Sequence, residues 1–196
     1  IVQKEMYTFD DQGGRSITLK PEGTSPAVRA FINSNEIRAV QPSKIFYDTP
    51  CFRYEKAQAN RYRQFHQFGI EIFGSSSMLA DAEAISFAAN FLKNMGITDL
   101  ELRINSVGCK ECRPGYRKAL QDFIRPNFER LSEDSKIRFE KNPMRILDSK
   151  DEMDREIVKD APTMLDYLCD DCKAAFNELK NILDEMGIEY VVDTNI

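Results

Sequence analysis

Two aromatic-rich runs, Lys44 to Glu55 and Arg63 to Phe73, constrain this chain more than any other feature. Both favour a pleated, half-buried backbone, and only a short polar stretch separates them, so they read as a long antiparallel hairpin with a basic loop. Side chains alternate between faces along a strand. Arg53 and Glu55 therefore share one face, with Phe52 and Tyr54 on the other, and Phe65, Gln67, Gly69 and Glu71 share a face of the return strand. An arginine, two acids, an amide, a ring and a glycine that leaves room for a ligand make a poor core and a plausible site. Between Arg53 and Gln67 the cations Arg53, Lys56, Arg61 and Arg63 face a single acid, Glu55, in a chain whose net charge is −5. That local reversal points to a polyanion such as a nucleoside triphosphate or an RNA end. The bland alternative is a solvated hairpin tip whose charges bind nothing.

Around the hairpin the pattern is mixed. Pro21-Glu22-Gly23 reads as a turn, and Thr24-Ser25-Pro26 offers a hydroxyl cap and an N-terminal proline to a helix running to about Arg38. Leu79, Ala82, Ile85, Ala88, Leu92 and Met95 follow helical spacing, with Gly96 placed to end that helix in a left-handed conformation. Leu100, Leu102 and Ile104 alternate as a strand does. From about Gly108 to Gly187 the chain is highly charged and helical in pattern, broken at Pro126, Asn142-Pro143 and Pro162. Phe176, Leu179, Leu183 and Met186 mark its last helix, and strand character returns at Glu189 to Val192. Strand and helix segments both occur, so the expected class is α+β. The expected parts are a sheet-containing core over 1–108, a mostly helical insertion over 109–187 and a return strand over 188–196.

No window is apolar enough for a membrane-spanning helix, and Ile-Val-Gln-Lys-Glu-Met at the start lacks the regions of a signal peptide. A cytoplasmic protein with reduced thiols is the expectation, and the missing initiator Met makes the sequence read as a fragment. Four of the five cysteines form two Cys-x-x-Cys pairs, Cys109 with Cys112 and Cys169 with Cys172. Four thiolates at this spacing suit tetrahedral zinc, although the pairs lie farther apart than in a compact zinc ribbon. Four reduced thiols, or a disulfide formed after purification, remain alternatives. Neither pair has a thioredoxin-like context, which disfavours redox catalysis.

Phe52-Arg53-Tyr54-Glu55, Gln58 and the run Arg61-Tyr62-Arg63-Gln64-Phe65-His66-Gln67-Phe68-Gly69-Ile70-Glu71-Ile72-Phe73-Gly74 resemble motif 2 of class II aminoacyl-tRNA synthetases in its histidyl version. Leu19-Lys20-Pro21-Glu22-Gly23-Thr24 resembles the substrate-binding turn of that family, and Asn142 to Lys150 resembles its insertion domain. The resemblance implies an α+β fold built on an antiparallel sheet flanked by helices, and ATP-dependent activation of histidine with Mg²⁺, followed by transfer to tRNA(His). It assigns ATP to Arg53 at the α-phosphate, Glu55 at the adenine amino group, Arg61 at the terminal phosphate and Phe65 against the adenine, with Arg53 catalytic. Histidine falls to Glu22, Thr24 and Gln67 at its α-amino group and to Glu71 at its imidazole. Lys56, Asn60 and Arg63 become contacts to the tRNA end.

Three positions depart from the pattern: Lys56-Ala57 stands where Arg-Pro is usual, and Asn60 where Gly is frequent. Asn tolerates a left-handed turn, so the loop geometry is expected to survive. His66, on the face opposite Gln67, reads as structural, leaving no Ser-His-Asp or Cys-His arrangement to defend. The family's motif 1, which builds a homodimer interface, is expected before Ile1. A second histidine-binding segment with a catalytic arginine, motif 3 and an anticodon-binding domain are expected after Ile196, so this chain alone is expected to be a poor catalyst. The competing reading is a synthetase-like regulatory subunit of ATP phosphoribosyltransferase, which keeps the fold without needing the adenylation residues. A tRNA-binding fragment would use the basic loop without ATP chemistry.

Overall fold

In the computed structural model, which describes residues 5–56 and 58–194, the two aromatic runs form paired strands, β3 (Ser43–Phe52) and β4 (Gln64–Phe73). They are antiparallel over ten residue pairs, with Tyr47 opposite Gly69, Thr49 opposite Gln67 and Cys51 opposite Phe65. Opposed residues share a face, so the register gathers Tyr47, Thr49, Cys51, Phe65, Gln67, Gly69 and Glu71 on one side. The alternation of exposed and covered positions along β3 and the first half of β4 follows this parity. Phe46 and Phe68 lie exposed on the other side.

The chain divides into two compact units, Ile1–Ala80 and Asp81–Ile196. The first also contains a small antiparallel ladder of β1 (Thr8–Asp10) with β2 (Ser16–Thr18) and two helices, α1 (Thr24–Asn33) and α2 (Asn35–Ala39). The single helix expected to Arg38 is thus broken at Ser34. Its backbone turns extended while its amide still donates to Ala30 O, and its hydroxyl accepts from Ile37 N–H at 3.2 Å to start α2. The expected hydroxyl cap of α1 is also absent. Helix α1 begins at Thr24 itself, and the Glu22 carboxylate accepts from the Ser25 N–H at 3.2 Å and from the Ser25 hydroxyl. A longer acidic side chain reaches an orphan amide at the positive end of the helix.

The second unit contains most of α3 (Met78–Asn94), then β5 (Arg103–Ile104), α4 (Cys112–Ile124), a 3₁₀ turn at Arg125–Arg130, α5 (Glu133–Lys141), α6 (Met144–Leu147), α7 (Glu152–Val158), another 3₁₀ turn at Met164–Tyr167, α8 (Asp170–Glu185) and β6 (Val191–Val192). Gly96 has φ +85°, and Ile97 N–H reaches back to Leu92 O at 3.0 Å, the closure expected of a left-handed glycine. Alternation over residues 100–104 yields only the two-residue β5, which pairs in parallel with β6. All the expected breaks occur: Pro126 starts the first 3₁₀ turn, Asn142-Pro143 separates α5 from α6, and Pro162 follows α7. The last two residues of the expected return strand, and Ala57, lie outside the described residues.

An apolar core organises the elements from α4 to the second 3₁₀ turn. Cys112, Tyr116, Leu120 and Ile124, spaced four apart on α4, meet Leu131, Phe139, Ile146, Ile157, Met164 and Leu168. Inside the polar bonds of this unit lies Asp154, fully buried on α7. It accepts from Ser132 N–H at 2.9 Å and from the hydroxyls of Ser132, Ser135 and Ser149 at 2.7, 2.6 and 2.6 Å. One carboxylate thereby ties the start of α5 and the segment after α6 to α7. Burial alone would raise its pKa, but these bonds outweigh it and bring the group down to about 2. A depressed carboxyl contributes stability above its unfolded value near 4, and that contribution fades as pH falls towards 2.

Asp154→Ala strands buried hydroxyls and removes the tie, so it is expected to cost about 3 kcal/mol or more. Urea unfolding at pH 7 measures this. The gap between wild type and variant should narrow as the pH drops from 5 to about 2; a pH-independent gap contradicts the assignment.

Candidate active site

In the first unit the turn at Pro21–Gly23 is fastened to the hairpin at several points. Arg53 Nε donates to Pro21 O at 2.8 Å, Phe52 N–H donates to Lys20 O at 2.8 Å, and the Lys20 ammonium bonds the Thr49 hydroxyl. Gly23 N–H donates to Gln67 Oε1 at 2.7 Å. An N–H donor requires the amide oxygen, which fixes the orientation of the Gln67 side chain. The second lone pair of that oxygen meets only the weak S–H of Cys51, at 3.6 Å. Cys51 is fully buried, and burial pushes its thiol pKa up, so it is an inert neighbour rather than a nucleophile.

The sequence did not single out Tyr47, yet its ring joins the two halves of this site. A Cβ added at Gly23 or at Gly69 would fall within the Tyr47 ring, and the Tyr47 hydroxyl lies 3.1 Å from Thr24 Oγ1. The space expected beside Gly69 for a ligand is therefore filled by tyrosine. Parity with Thr49 and Cys51 was the available signal; the second glycine, more than forty positions from Gly69, was not.

At the loop end, Glu55 lies between two guanidinium groups, 3.8 Å from Arg53 and 3.3 Å from Arg61. The Arg53 guanidinium also sits over the Phe65 ring, 5.1 Å from its centroid. Arg53, Glu55 and Phe65 are half-buried and Arg61 is exposed. Arg63 lies over Tyr54 at 4.8 Å and donates to Glu55 O at 3.3 Å. The loop turns through Asn60 at φ +62°, with Arg61 N–H bonded to Gln58 O at 3.0 Å, so asparagine does supply the left-handed position. Lys56 is exposed beside it.

Glu71 is half-buried opposite Ile45, and its carboxylate has no hydrogen bond or ion pair among the described residues. His66 lies exposed on the opposite face, its Nδ1 3.2 Å from Asp48. That surface pairing agrees with a structural rather than catalytic histidine. The fold thus gathers Glu22, Thr24 and Gln67 about the turn and Arg53, Glu55, Arg61 and Phe65 about the loop.

In the second unit Cys109, Cys112, Cys169 and Cys172 converge, all four sulfurs within 4.8 Å of one another. Cys169 N–H donates to Cys112 Sγ at 3.1 Å, and this bond leads the causes that bring the Cys112 thiol down to about 6. Cys172 moves the other way, to about 12, first through its hydrogen bond with the Cys169 sulfur. The group could hold a metal ion. No other cluster of three or more such side chains occurs among the described residues.

The family profile described as Histidyl-tRNA synthetase matches residues 2–111. The chain belongs to the histidyl-tRNA synthetase family. A histidine–tRNA ligase of Caldanaerobacter subterraneus subsp. tengcongensis is 56% identical over 196 residues, covering 100% of this chain and 47% of that protein. One from Clostridium perfringens is 55% identical over 197 residues, covering 100% and 48%. The chain spans about half the length of these relatives. Among solved structures, apo Staphylococcus aureus histidyl-tRNA synthetase superposes with a TM-score of 0.75 at 36% identity, over 97% of this chain and 44% of that one. The likeness agrees with the α+β expectation. A Bacillus halodurans structure titled as an ATP phosphoribosyltransferase regulatory subunit/histidyl-tRNA synthetase shares the fold at a TM-score of 0.64 and 22% identity.

Gly69→Ala must displace the Tyr47 ring, and overpacking of this kind is expected to cost about 1–3 kcal/mol. Urea denaturation followed by tyrosine fluorescence reads the loss. A variant as stable as wild type would show that the ring has room to move.

Proposed function

We propose that the full-length protein joins histidine to ATP and then to tRNA(His), as a cytoplasmic homodimer, and that residues 1–108 carry part of its catalytic core. Residues 109–187 form its insertion domain, and the core resumes at 188–196. The observation that carries this reading is the turn tied to the hairpin by Arg53 Nε to Pro21 O and by Gly23 N–H to Gln67, beside the Arg53–Glu55–Arg61 cluster. Amino-acid and nucleotide determinants thereby share one strand pair.

Activation requires the histidine carboxylate to attack the α-phosphate in line, breaking the bond to the β-phosphate and releasing pyrophosphate, while negative charge gathers on the phosphate oxygens. Arg53 has its Nε committed to the turn, which leaves its Nη hydrogens for that phosphate and fixes the plane of the fork. Held orientation lowers the barrier, because little reorganisation remains when charge develops. Arg61 takes the terminal phosphate, Glu55 accepts from the adenine amino group and Phe65 provides an apolar face for the base. Mg²⁺ bound with ATP would supply further charge neutralisation at the phosphates. Glu22, Thr24 and the Gln67 oxygen, whose second lone pair gives up only the weak Cys51 S–H, receive the α-amino group, which is a donor when charged.

Glu71 reads the side chain. An imidazole N–H distinguishes histidine from residues of similar size, and the Glu71 carboxylate is available to accept it. Any metal on the four cysteines has no part in this chemistry, because a closed four-thiolate set leaves no open position.

In the full-length protein Glu71→Gln should raise the histidine KM strongly while leaving the KM for ATP nearly unchanged. A loss of about 1.5–3 kcal/mol in kcat/KM for histidine is expected, typical of a hydrogen bond to a charged group. Histidine-dependent exchange of pyrophosphate into ATP measures it, and an unaltered histidine requirement in a folded variant removes Glu71 from the role. Absence of exchange by the wild-type full-length protein would favour a regulatory subunit instead.

Lys56, Asn60 and Arg63 meet the acceptor end of the tRNA in this reading. Lys56→Glu is expected to slow aminoacylation more than pyrophosphate exchange, with the difference shrinking at high salt. Equal losses in both reactions would move Lys56 to the ATP site.

A further inference from the structure

We propose that Cys109, Cys112, Cys169 and Cys172 form a mononuclear structural zinc site that clasps the two ends of the helical unit, and that folding of this unit depends on the metal. The inference stands on the geometry of the second unit and does not depend on the ligase chemistry. The Cys109–Cys112 and Cys109–Cys169 sulfur separations are 3.5 and 3.9 Å. A tetrahedral ion with bonds of about 2.3 Å places its sulfurs about 3.8 Å apart. With all four sulfurs within 4.8 Å of one another, the site has room for one ion and not for an iron–sulfur cluster, whose ligand sulfurs spread much farther. Two disulfides would instead give two short pairs, and all four cysteines are free.

The surrounding backbone is shaped for this group. Gly108, immediately before the first ligand, has φ +61°, and a Cβ there would lie 2.9 Å from Cys112 Cβ and would collide with Met164. Arg113 holds that tight approach by donating to Val107 O at 3.2 Å and Gly108 O at 3.3 Å. Cys112 opens α4 and Cys169 caps α8, so the positive ends of two helices face the same sulfurs. The Cys169 N–H bond to Cys112 Sγ is the kind of second contact that steadies a metal-bound thiolate. The side chains in and beside the two Cys-x-x-Cys units, Lys110, Glu111, Arg113, Asp170, Asp171 and Lys173, balance one another, so four thiolates without a cation would stand as uncompensated negative charge. A divalent ion offsets it.

The placement also says what the ion does. Cys109 and Cys112 follow β5, Cys169 and Cys172 begin the helix that leads to β6, and three of the four sulfurs pack against the core that Cys112 joins. Zinc would therefore join the start of α4 to the start of α8 and close the stretch between them.

The purified full-length protein, prepared without added chelator, should contain about one equivalent of zinc by elemental analysis. Chelator should release it with a fall in melting temperature and loss of helical circular dichroism, both restored by zinc alone. Cobalt(II) in its place should give the thiolate charge-transfer and d–d bands of a tetrahedral four-sulfur site. Cys109→Ser and Cys172→Ser should each lower zinc content at least about tenfold. If these variants fail to fold, the wild-type stoichiometry and cobalt spectrum still decide. Less than about one tenth of an equivalent of zinc with reduced, titratable thiols overturns the proposal, as does iron in place of zinc, or zinc whose removal leaves stability unchanged.

Discussion

The pairing of β3 with β4 is the constraint on which the candidate active site rests. Ten opposed residues fix a register, and strand side chains repeat every second position. A slip by one residue would send Gln67 and Glu71 to the face now held by His66 and Phe68 and leave the turn at Pro21–Thr24 without its anchors. Register is itself held by side chains: the Tyr47 ring lies against backbone that only glycine at 23 and 69 permits, and Gln67 accepts from the turn. Packing and recognition are thus one arrangement seen from two sides.

Charge completes it. Cations are concentrated at the hairpin loop of an acidic chain, and Glu55 lies between two of them. Pairing the acid with Arg53 and Arg61 holds both guanidinium groups at one end of the hairpin while limiting their mutual repulsion.

Much of this was legible in the sequence, for identifiable reasons. Period-two alternation and aromatic content gave the hairpin and its faces, and the proline and glycine punctuation gave the helix ends around 96, 126, 143 and 162. The break at Ser34 escaped because helical spacing continues through a residue whose hydroxyl starts a new helix. The Asp154 network escaped because its three serines are distributed over loop, helix and turn, and no spacing rule links them. The Cys-x-x-Cys spacing was visible, but the approach of the two pairs to one point depends on how α4 and α8 pack. Tyr47 is the clearest case: a tyrosine in a strand looks like ordinary packing until both of its glycine neighbours are known.

The parallel pairing of β5 with β6 makes everything between them a closed excursion that departs and returns at adjacent positions. The entropy of loop closure grows only slowly with length, so such an excursion tolerates large changes in size at little conformational cost. Its ends are neighbours whatever lies between, and the β3–β4 pair shares no strand with it. The helical stretch is therefore the part of the chain whose length its own ends constrain least.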